Sequence, residues 1–306
     1  MTIHVPTPLV PSPVLSRIAR ASVWLKMEAV QPSGSFKLRG IGAVCERHVA
    51  EGKTRFISSS GGNAGIAAAY AGRELSIPVV VVVPDTTPAS ARTLIRDQGA
   101  EVIVHGASWM EANALAESLL TQDDAFLHPF DDPVLWDGHA TMIDEVVQAC
   151  VRPEVVVLSV GGGGLLAGVA EGLRRNGWAD IPIIAVETAG AASLAAALSA
   201  NSRITLETID TVAKSLGAKQ VCERAFELAR TSDVRSIVVD DRAAVSASRR
   251  FLDDHRLLVE PACGAGLSVV YDRLGAIEEF GSILVIVCGG AVVSVDELDG
   301  FLATTA

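Results

Sequence analysis

Short runs of β-branched residues alternate with alanine- and leucine-rich stretches along most of this sequence. Residues 79–83 are five consecutive valines, and residues 155–160 are apolar at all but one position. A strand without polar alternation is buried on both faces, as parallel strands covered by helices are. The pattern therefore predicts α/β architecture with parallel strands joined by right-handed crossovers.

The composition indicates a globular protein without a nucleic-acid partner. The chain has 306 residues, of which 49% are apolar and 20% charged, so a packed interior is expected and disorder is not. Its net charge of −11 argues against binding to nucleic acid. Prolines interrupt residues 1–13, where a signal peptide needs an unbroken apolar stretch, and every apolar run is too short to span a bilayer. We therefore expect neither export nor a membrane partner.

Five cysteines are scattered along the chain, at positions 45, 150, 222, 263 and 288. Their number is odd and none forms a C-x-x-C pair, so the sequence suggests neither a disulfide framework nor a zinc site. This usage is typical of a reducing compartment, and we expect a cytoplasmic location.

The periodicity predicts strands and helices in alternation, and the Asp- and Pro-rich segment 123–133 suggests a crossing between two sub-domains. Strands are predicted at 23–27, 54–58, 78–83, 101–104, 154–160, 182–187, 236–239 and 282–288. Helices are predicted at 35–50, 62–75, 88–98, 108–121, 133–150, 164–176, 190–200, 241–254, 262–273 and 294–302.

Lys37 lies in PSGSFKLRG (32–40), a tight glycine and serine loop that leads into an apolar helix. The positive end of the helix dipole disfavours a protonated amine at this place. A lysine that loses its proton easily is a nucleophile suited to forming a Schiff base, and the chain has only five lysines. Because most lysines are solvated, an ordinary lysine at a helix start is the alternative interpretation.

Two further turns combine glycine with a following helix. Residues 58–65, SSSGGNAG, follow a predicted strand, and their free amides are suited to a substrate carboxylate, although Asn63 also fits a simple helix cap. Residues 161–164 are four consecutive glycines after a buried strand. Such a run costs about 0.5–1 kcal/mol per residue compared with alanine. Phosphate binding by backbone amides at the helix start would justify that cost better than a purely structural turn.

The last predicted strand ends at Cys288-Gly289-Gly290. An inert buried thiol is the usual role of such a cysteine. If Cys288 instead faces a pyridine nitrogen, it is a weak hydrogen-bond partner, and the ring is a weaker electron sink than it would be beside an aspartate.

Together these segments resemble the motifs of fold-type II pyridoxal-phosphate enzymes, most closely the L-serine/L-threonine dehydratase (ammonia-lyase) family. PSGSFKLRG resembles the Schiff-base lysine motif, SSSGGNAG the asparagine loop and GGGGLLAG (161–168) the phosphate cup. Four more stretches resemble the serine dehydratase branch: PFDDPVLWDGH (129–139), VAKSLGA (212–218), VEPACGA (259–265) and VCGG (287–290).

The resemblance implies two open, mostly parallel twisted sheets with flanking helices, like the tryptophan synthase β-subunit. It implies a large pyridoxal-phosphate-binding domain at 1–37 and 128–306 and a small substrate-loop domain at 38–127. The implied activity is β-elimination that converts L-serine to pyruvate and ammonia, and L-threonine to 2-oxobutanoate and ammonia. It further implies a lyase that acts as a homodimer.

The resemblance also implies roles for individual residues. Lys37 would carry the cofactor and act as the base, Phe36 would pack against the ring, and Asn63 would bond the ring hydroxyl. The other implied contacts are amides at Gly161, Gly162, Gly163, Gly164 and Leu165 for the phosphate, Cys288 for the ring nitrogen, and Ser60, Gly61, Gly62 and Asn63 for the substrate carboxylate. A monovalent cation, K+, would be bound by the Glu187 carboxylate and by carbonyls at Gly161, Ala191, Leu216 and Ala218. Outside the resemblance, Glu187 is an ordinary solvated carboxylate at a strand end.

Two positions depart from the family pattern. Gly61 stands where related racemases carry a serine that acts as the acid/base on the second face, so racemisation should be poor. Ala291-Val292 stands where the family often has Ser-Asn or Asn-Val, so a polar contact near the cofactor is missing.

Other functions remain open on the sequence alone. Gly162-x-Gly164-x-x-Ala167, with Glu187 about 20 residues on, mimics a dinucleotide fingerprint and indicates a nicotinamide dehydrogenase as a rival. Within the superfamily, a β-replacing synthase of the cysteine type is the alternative, although such enzymes usually carry Asn-Thr-Gly where this chain has Asn63-Ala64-Gly65. A non-catalytic amino-acid sensor is a third.

Overall fold

The computed structural model describes residues 2–304, which form ten strands and twelve α-helices. None of the helices in this range has an apolar stretch long enough to cross a bilayer. The strands are β1 (Leu9–Pro11), β2 (Ser22–Lys26), β3 (Arg55–Ser58), β4 (Val79–Val83), β5 (Glu101–Val104), β6 (Asp124–Phe126), β7 (Val155–Ser159), β8 (Ile183–Thr188), β9 (Val234–Val239) and β10 (Ser282–Ile286). The helices are α1 (Pro13–Ala19), α2 (Lys37–Ala50), α3 (Asn63–Leu75), α4 (Ala89–Asp97), α5 (Trp109–Ser118), α6 (Pro133–Gln148), α7 (Gly164–Arg175), α8 (Ser193–Ala200), α9 (Glu223–Thr231), α10 (Asp241–His255), α11 (Pro261–Tyr271) and α12 (Val295–Thr304).

The strands form two separate sheets. In residues 2–304, one sheet has six strands in the order β1-β2-β10-β7-β8-β9 and the other has four in the order β5-β4-β3-β6. Every neighbouring pair is parallel except β1 with β2. All residues of β4 and β7 are buried, as parallel strands covered on both faces must be. The predicted α/β fold class with two mostly parallel sheets is therefore confirmed.

Each sheet has its own apolar core. The larger core surrounds the six-stranded sheet, and the second joins α2 and α3 to β3 and β4. Helix α6 packs against α2 on one side and α7 on the other, so it links the two sheets. The strands of the four-stranded sheet all fall inside 38–127, and we propose that this range forms the small domain.

Four elements of residues 2–304 are not predicted by the periodicity: β1, α1, β6 and α9. Strands β1 and β6 have three residues each, too few to show a period. Helix α1 follows prolines that suggest a loop, but Ser12 caps the helix by accepting from the Leu15 amide, and Pro13 is the first helical residue, where proline is tolerated. The segment 123–133, predicted to cross between two sub-domains, contains β6. Asp124 of this strand pairs with Arg55 at 2.6 Å.

Strand order decides where the loops of interest meet. The turn at 58–65 follows β3, the glycine run at 161–164 follows β7, and Cys288 follows β10. Ligand sites of open parallel sheets form at the carboxyl ends of the strands. Three loops that are far apart in sequence therefore lie at the ends where such a site is expected.

Candidate active site

Lys37 is the first residue of α2 and is partly buried. Its Nζ donates a hydrogen bond to the Pro129 carbonyl at 2.6 Å and lies 5.1 Å from the centre of the Phe36 ring. Burial lowers the pKa of this amine from 10.5 to about 8. Desolvation is the largest cause, whereas the sequence argument relied on the helix dipole. A large fraction of Lys37 is thus neutral near pH 8 and able to act as a nucleophile.

A buried ionic network anchors the first turn of α2, which carries Lys37. Arg39 is fully buried, and its guanidinium donates to Glu28 at 2.7 Å and to Glu145 at 2.6 Å. Lys26, also fully buried, pairs with Glu145. Two cations and two carboxylates from β2, the segment after it, α2 and α6 therefore neutralise one another. Because a buried charge is tolerated only when paired, this network holds α2 in one position.

The loop before Lys37 is bound to the loop that follows β10. The Phe36 amide donates to the Cys288 carbonyl at 3.0 Å, and the Gly290 amide donates to the Gly34 carbonyl at 3.2 Å. Hydrogen bonding with Cys263 and burial raise the pKa of the Cys288 thiol well above its usual value. Cys288 is therefore a neutral group close to Lys37. Its contact with a ring nitrogen stays a prediction.

The glycine run supplies unpaired backbone donors. In the part of the chain that the structure describes, the amides from Gly161 to Leu165 donate to no acceptor. Helix α7 begins at Gly164, so these donors point from a helix N-terminus. Such groups, reinforced by the helix dipole, are suited to a phosphate or another anion.

Phe130 packs against this run and explains part of the glycine requirement. A Cβ at Gly162 would lie 2.3 Å from the Phe130 ring, and one at Gly164 would lie 2.6 Å from the Phe130 carbonyl oxygen. The Trp136 indole donates to the same carbonyl at 2.8 Å and fixes it. Since the preceding carbonyl, of Pro129, accepts from Lys37, this segment brings the amine and the glycine run together. Pro129 and Phe130 were not singled out as site residues, although they begin the PFDDPVLWDGH motif.

The loop at 58–65 also presents free amides. Between residues 2 and 304, the amides of Gly61, Asn63 and Ala64 have no acceptor, whereas the Gly62 amide donates to Ser60 Oγ at 3.4 Å. Helix α3 begins at Asn63, so these donors also lie at a helix start. The arrangement fits a carboxylate.

Thr87 occupies the space beside Gly61. A Cβ at Gly61 would lie 2.7 Å from Thr87 Cγ2 and 2.8 Å from Thr87 Oγ1. Thr87, in the loop after β4, therefore fills the space that a side chain at position 61 would occupy. Sequence reasoning had no signal for this contact.

Asn63 is held by two residues from the part of the chain that contains β7 to β10 of the six-stranded sheet. Its Nδ2 donates to Glu260 Oε1 at 2.7 Å and to Ser215 Oγ at 3.3 Å, while its Oδ1 is buried without a partner. Burial raises the pKa of Glu260 to about 6. Glu260 and Ser215 were missed individually, although both lie in motifs that the sequence analysis quotes, VEPACGA and VAKSLGA.

Of the five residues predicted to bind a cation, two are seen in contact, Gly161 and Leu216. Gly161 lies against Leu216, since a Cβ at Gly161 would be 3.0 Å from the Leu216 Cα. Glu187 is not solvated as expected outside the resemblance, because it is fully buried and accepts from the amides of Leu194 at 2.7 Å and Ala195 at 2.8 Å. Burial raises its pKa to about 7. No cluster of three or more His, Cys, Asp or Glu suited to a metal occurs within residues 2–304. The cation site, including Ala191 and Ala218, stays a prediction.

The assembled groups fit a phosphorylated aldehyde with an aromatic nitrogen. The Lys37 amine interacts electrostatically with Cys288 and with Glu260, and Glu260 accepts from Asn63. Pro129 and Phe130 connect the same amine to the unpaired amides of the glycine run. The second set of free amides, of Gly61, Asn63 and Ala64, is suited to the carboxylate of a bound amino acid.

Comparison with known proteins gives a consistent result. Residues 1–289 match the family model described as pyridoxal-phosphate dependent enzyme. The chain is 45% identical to a human L-serine dehydratase/L-threonine deaminase, covering 97% of this chain and 94% of that protein. It is 43% identical to an L-serine dehydratase of Dictyostelium discoideum, covering 99% and 92%. The crystal structure of a fungal L-serine ammonia-lyase from Rhizomucor miehei superimposes with a TM-score of 0.95 at 35% identity, over 100% of both chains. This chain belongs to the pyridoxal-phosphate-dependent enzyme family.

Proposed function

We propose that this protein is a pyridoxal-phosphate-dependent ammonia-lyase that converts L-serine to pyruvate and L-threonine to 2-oxobutanoate. The observation that carries the proposal is the Lys37 amine, whose pKa is lowered and which donates to the Pro129 carbonyl, next to Phe130. Phe130 in turn packs against the glycine run, where the amides of 161–165 are unpaired. The similarity over almost the full length to proteins named L-serine dehydratase supports the choice of reaction.

The residues of the cleft have separate tasks in this proposal. Lys37 would hold the cofactor covalently, Phe36 would contact its ring, Gly161 to Leu165 would bind its phosphate, and Asn63 and Cys288 would contact the ring oxygen and nitrogen. When bound, pyridoxal phosphate supplies an electron sink that acidifies the α-proton of an attached amino acid. Because the Cys288 thiol is neutral, it leaves the ring nitrogen without a charged partner.

Substrate recognition and proton transfer fall to two loops. The amides of Gly61, Asn63 and Ala64 would bind the substrate carboxylate and fix the orientation of the α-carbon. Lys37 Nζ would take the α-proton as the general base, and its lowered pKa favours the neutral form that this task requires. The Pro129 carbonyl would then accept a hydrogen bond from the protonated amine. Loss of the β-hydroxyl and hydrolysis release the 2-oxo acid and ammonia.

The Lys37→Ala variant tests the central assignment. After free pyridoxal phosphate is removed, it should retain no visible absorbance, and it should release no 2-oxo acid from serine or threonine. Lys53→Ala is the matched control, because the side chain of Lys53 donates to the Gln122 carbonyl at the surface. A Lys37→Ala protein that remains yellow and active contradicts the proposal.

We also propose that K+ supports activity through Glu187, that the protein is a homodimer, and that it acts in the cytoplasm. Free cysteines at all five positions agree with a reducing compartment. Turnover should rise when K+ replaces a large organic cation, and Glu187→Gln should remove this response. Equal turnover in both salts contradicts the role of K+. Sedimentation of the protein in solution tests whether it is a homodimer.

The rival functions predict different reactions. The dinucleotide interpretation of 162–167 is set aside, because the family match includes this run and Lys37. Cysteine formation from serine and sulfide without 2-oxo acid release would favour a β-replacing synthase. Cofactor binding without turnover would favour a sensor.

A further inference from the structure

Glu260 is a buried carboxylate with a fixed backbone. It directly precedes α11, is 4% exposed, and does not use its side chain to cap that helix. Its amide donates to the Gly289 carbonyl at 3.2 Å, and its carbonyl accepts from Ser248 Oγ at 3.1 Å. A buried carboxylate is costly unless it is hydrogen-bonded, so the partners of this side chain indicate why it is there.

The partner of the Glu260 carboxylate comes from the part of the chain that contains the four-stranded sheet. Asn63, at the start of α3, donates from Nδ2 to Glu260 Oε1 at 2.7 Å. The same nitrogen donates to Ser215 Oγ at the longer distance of 3.3 Å. Both hydrogens of the amide nitrogen are thereby directed to the side of the six-stranded sheet.

The other end of the Asn63 amide has no partner. Asn63 is 6% exposed, and its Oδ1 is buried without a hydrogen bond to any residue from 2 to 304. Buried side-chain acceptors are normally satisfied, so an unpaired one in a cleft indicates a ligand group. Since the amide nitrogen is engaged, this ligand group must bring a proton to Oδ1.

We infer that Glu260 is a positioning residue that holds the Asn63 amide with Oδ1 directed toward the ring hydroxyl of the cofactor. This inference rests on the cofactor site proposed above. Glu260 makes the shorter bond and is the main support, and Ser215 is the weaker one. The carboxylate acts through Asn63 and has no direct part in the reaction.

Loss of Glu260 would free the amide to turn. In Glu260→Ala, Asn63 loses its charged acceptor and can present either end to the ring oxygen. The affinity for pyridoxal phosphate should fall by about tenfold or more, the change expected when a hydrogen bond to a charged group is lost. The visible absorbance maximum of the holoenzyme should shift, because it depends on whether the ring oxygen keeps its proton.

A double-mutant cycle between Glu260→Ala and Asn63→Ala tests the inference. The readouts are the dissociation constant of pyridoxal phosphate, titrated into cofactor-free protein, and the visible spectrum. If Glu260 acts through Asn63, each single change weakens binding, and adding Glu260→Ala to Asn63→Ala weakens it no further. Independent losses that multiply in the double variant overturn the inference. If Glu260→Ala does not fold, the cycle is run with Glu260→Gln.

Glu260→Gln adds a conservative control, because glutamine keeps an acceptor at the same place. It should weaken binding less than Glu260→Ala, and equal losses would exclude the hydrogen bond as the cause. Measurements on the wild-type protein distinguish a failure of the proposed function from a failure of the role of Glu260. A wild type that retains no visible absorbance once free pyridoxal phosphate is removed refutes the proposed function. A normal wild type together with an unchanged Glu260→Ala spectrum and affinity refutes only the role of Glu260.

Discussion

Position 61 offers a quantitative test of the packing in the substrate loop. An alanine Cβ at Gly61 would lie 2.7 Å from Thr87 Cγ2, whereas carbon atoms in contact are normally about 3.5–4.0 Å apart. Thr87 would have to move by about 1 Å, and overpacking of this kind costs about 1–3 kcal/mol of unfolding free energy. Gly62→Ala is the matched control, because a Cβ at Gly62 would meet nothing within 4 Å.

Both alanines reduce the freedom of the unfolded chain, an effect of about 0.4–1 kcal/mol that is common to the two variants. Their difference therefore isolates the contact with Thr87, and Gly61→Ala should be less stable than Gly62→Ala by about 1–3 kcal/mol. Urea unfolding of the cofactor-free proteins, followed by tryptophan fluorescence, measures this difference. In a Thr87→Ala background the difference should fall to within about 0.5 kcal/mol. Equal stability of the two variants, or a difference that persists without Thr87, would refute the packing argument.

Three further predictions concern the cleft and its support. Arg39→Met should lower the unfolding free energy by about 3–5 kcal/mol, because it leaves two carboxylates, Glu28 and Glu145, with Lys26 as their remaining cation. Arg73→Met, at an exposed pair, should change it by less than about 1 kcal/mol in the same urea assay. Gly162→Ala should lower the unfolding free energy by about 1–3 kcal/mol and weaken pyridoxal phosphate binding, because its Cβ would displace Phe130. Gly275→Ala, with open space around it, is the control. Equal affinities of the two variants for pyridoxal phosphate would contradict the prediction. The rate at which cofactor-free protein takes up pyridoxal phosphate should rise with pH as Lys37 loses its proton, with the midpoint of the rise at a pH of about 8. A flat stopped-flow profile would count against the lowered pKa.

The positions of the principal loops could be predicted from the sequence because their signals are local. A valine run such as β4 is buried on both faces wherever it lies, and PSGSFKLRG places Lys37 at a helix start. Most long helices and strands follow from the same periodicity. The three-residue strands β1 and β6 do not, since three residues are too few to reveal alternation.

The contacts between distant segments could be decided only by the tertiary structure. Nothing near Asn63 in the sequence indicates that Glu260, 197 residues away, accepts its hydrogen bond, or that Thr87 occupies the space beside Gly61. The lowered pKa of Lys37 has the same origin, because it depends on burial by segments remote in the chain. Local chemistry is determined by residue type and spacing, whereas partners and desolvation depend on which strand ends the fold brings together.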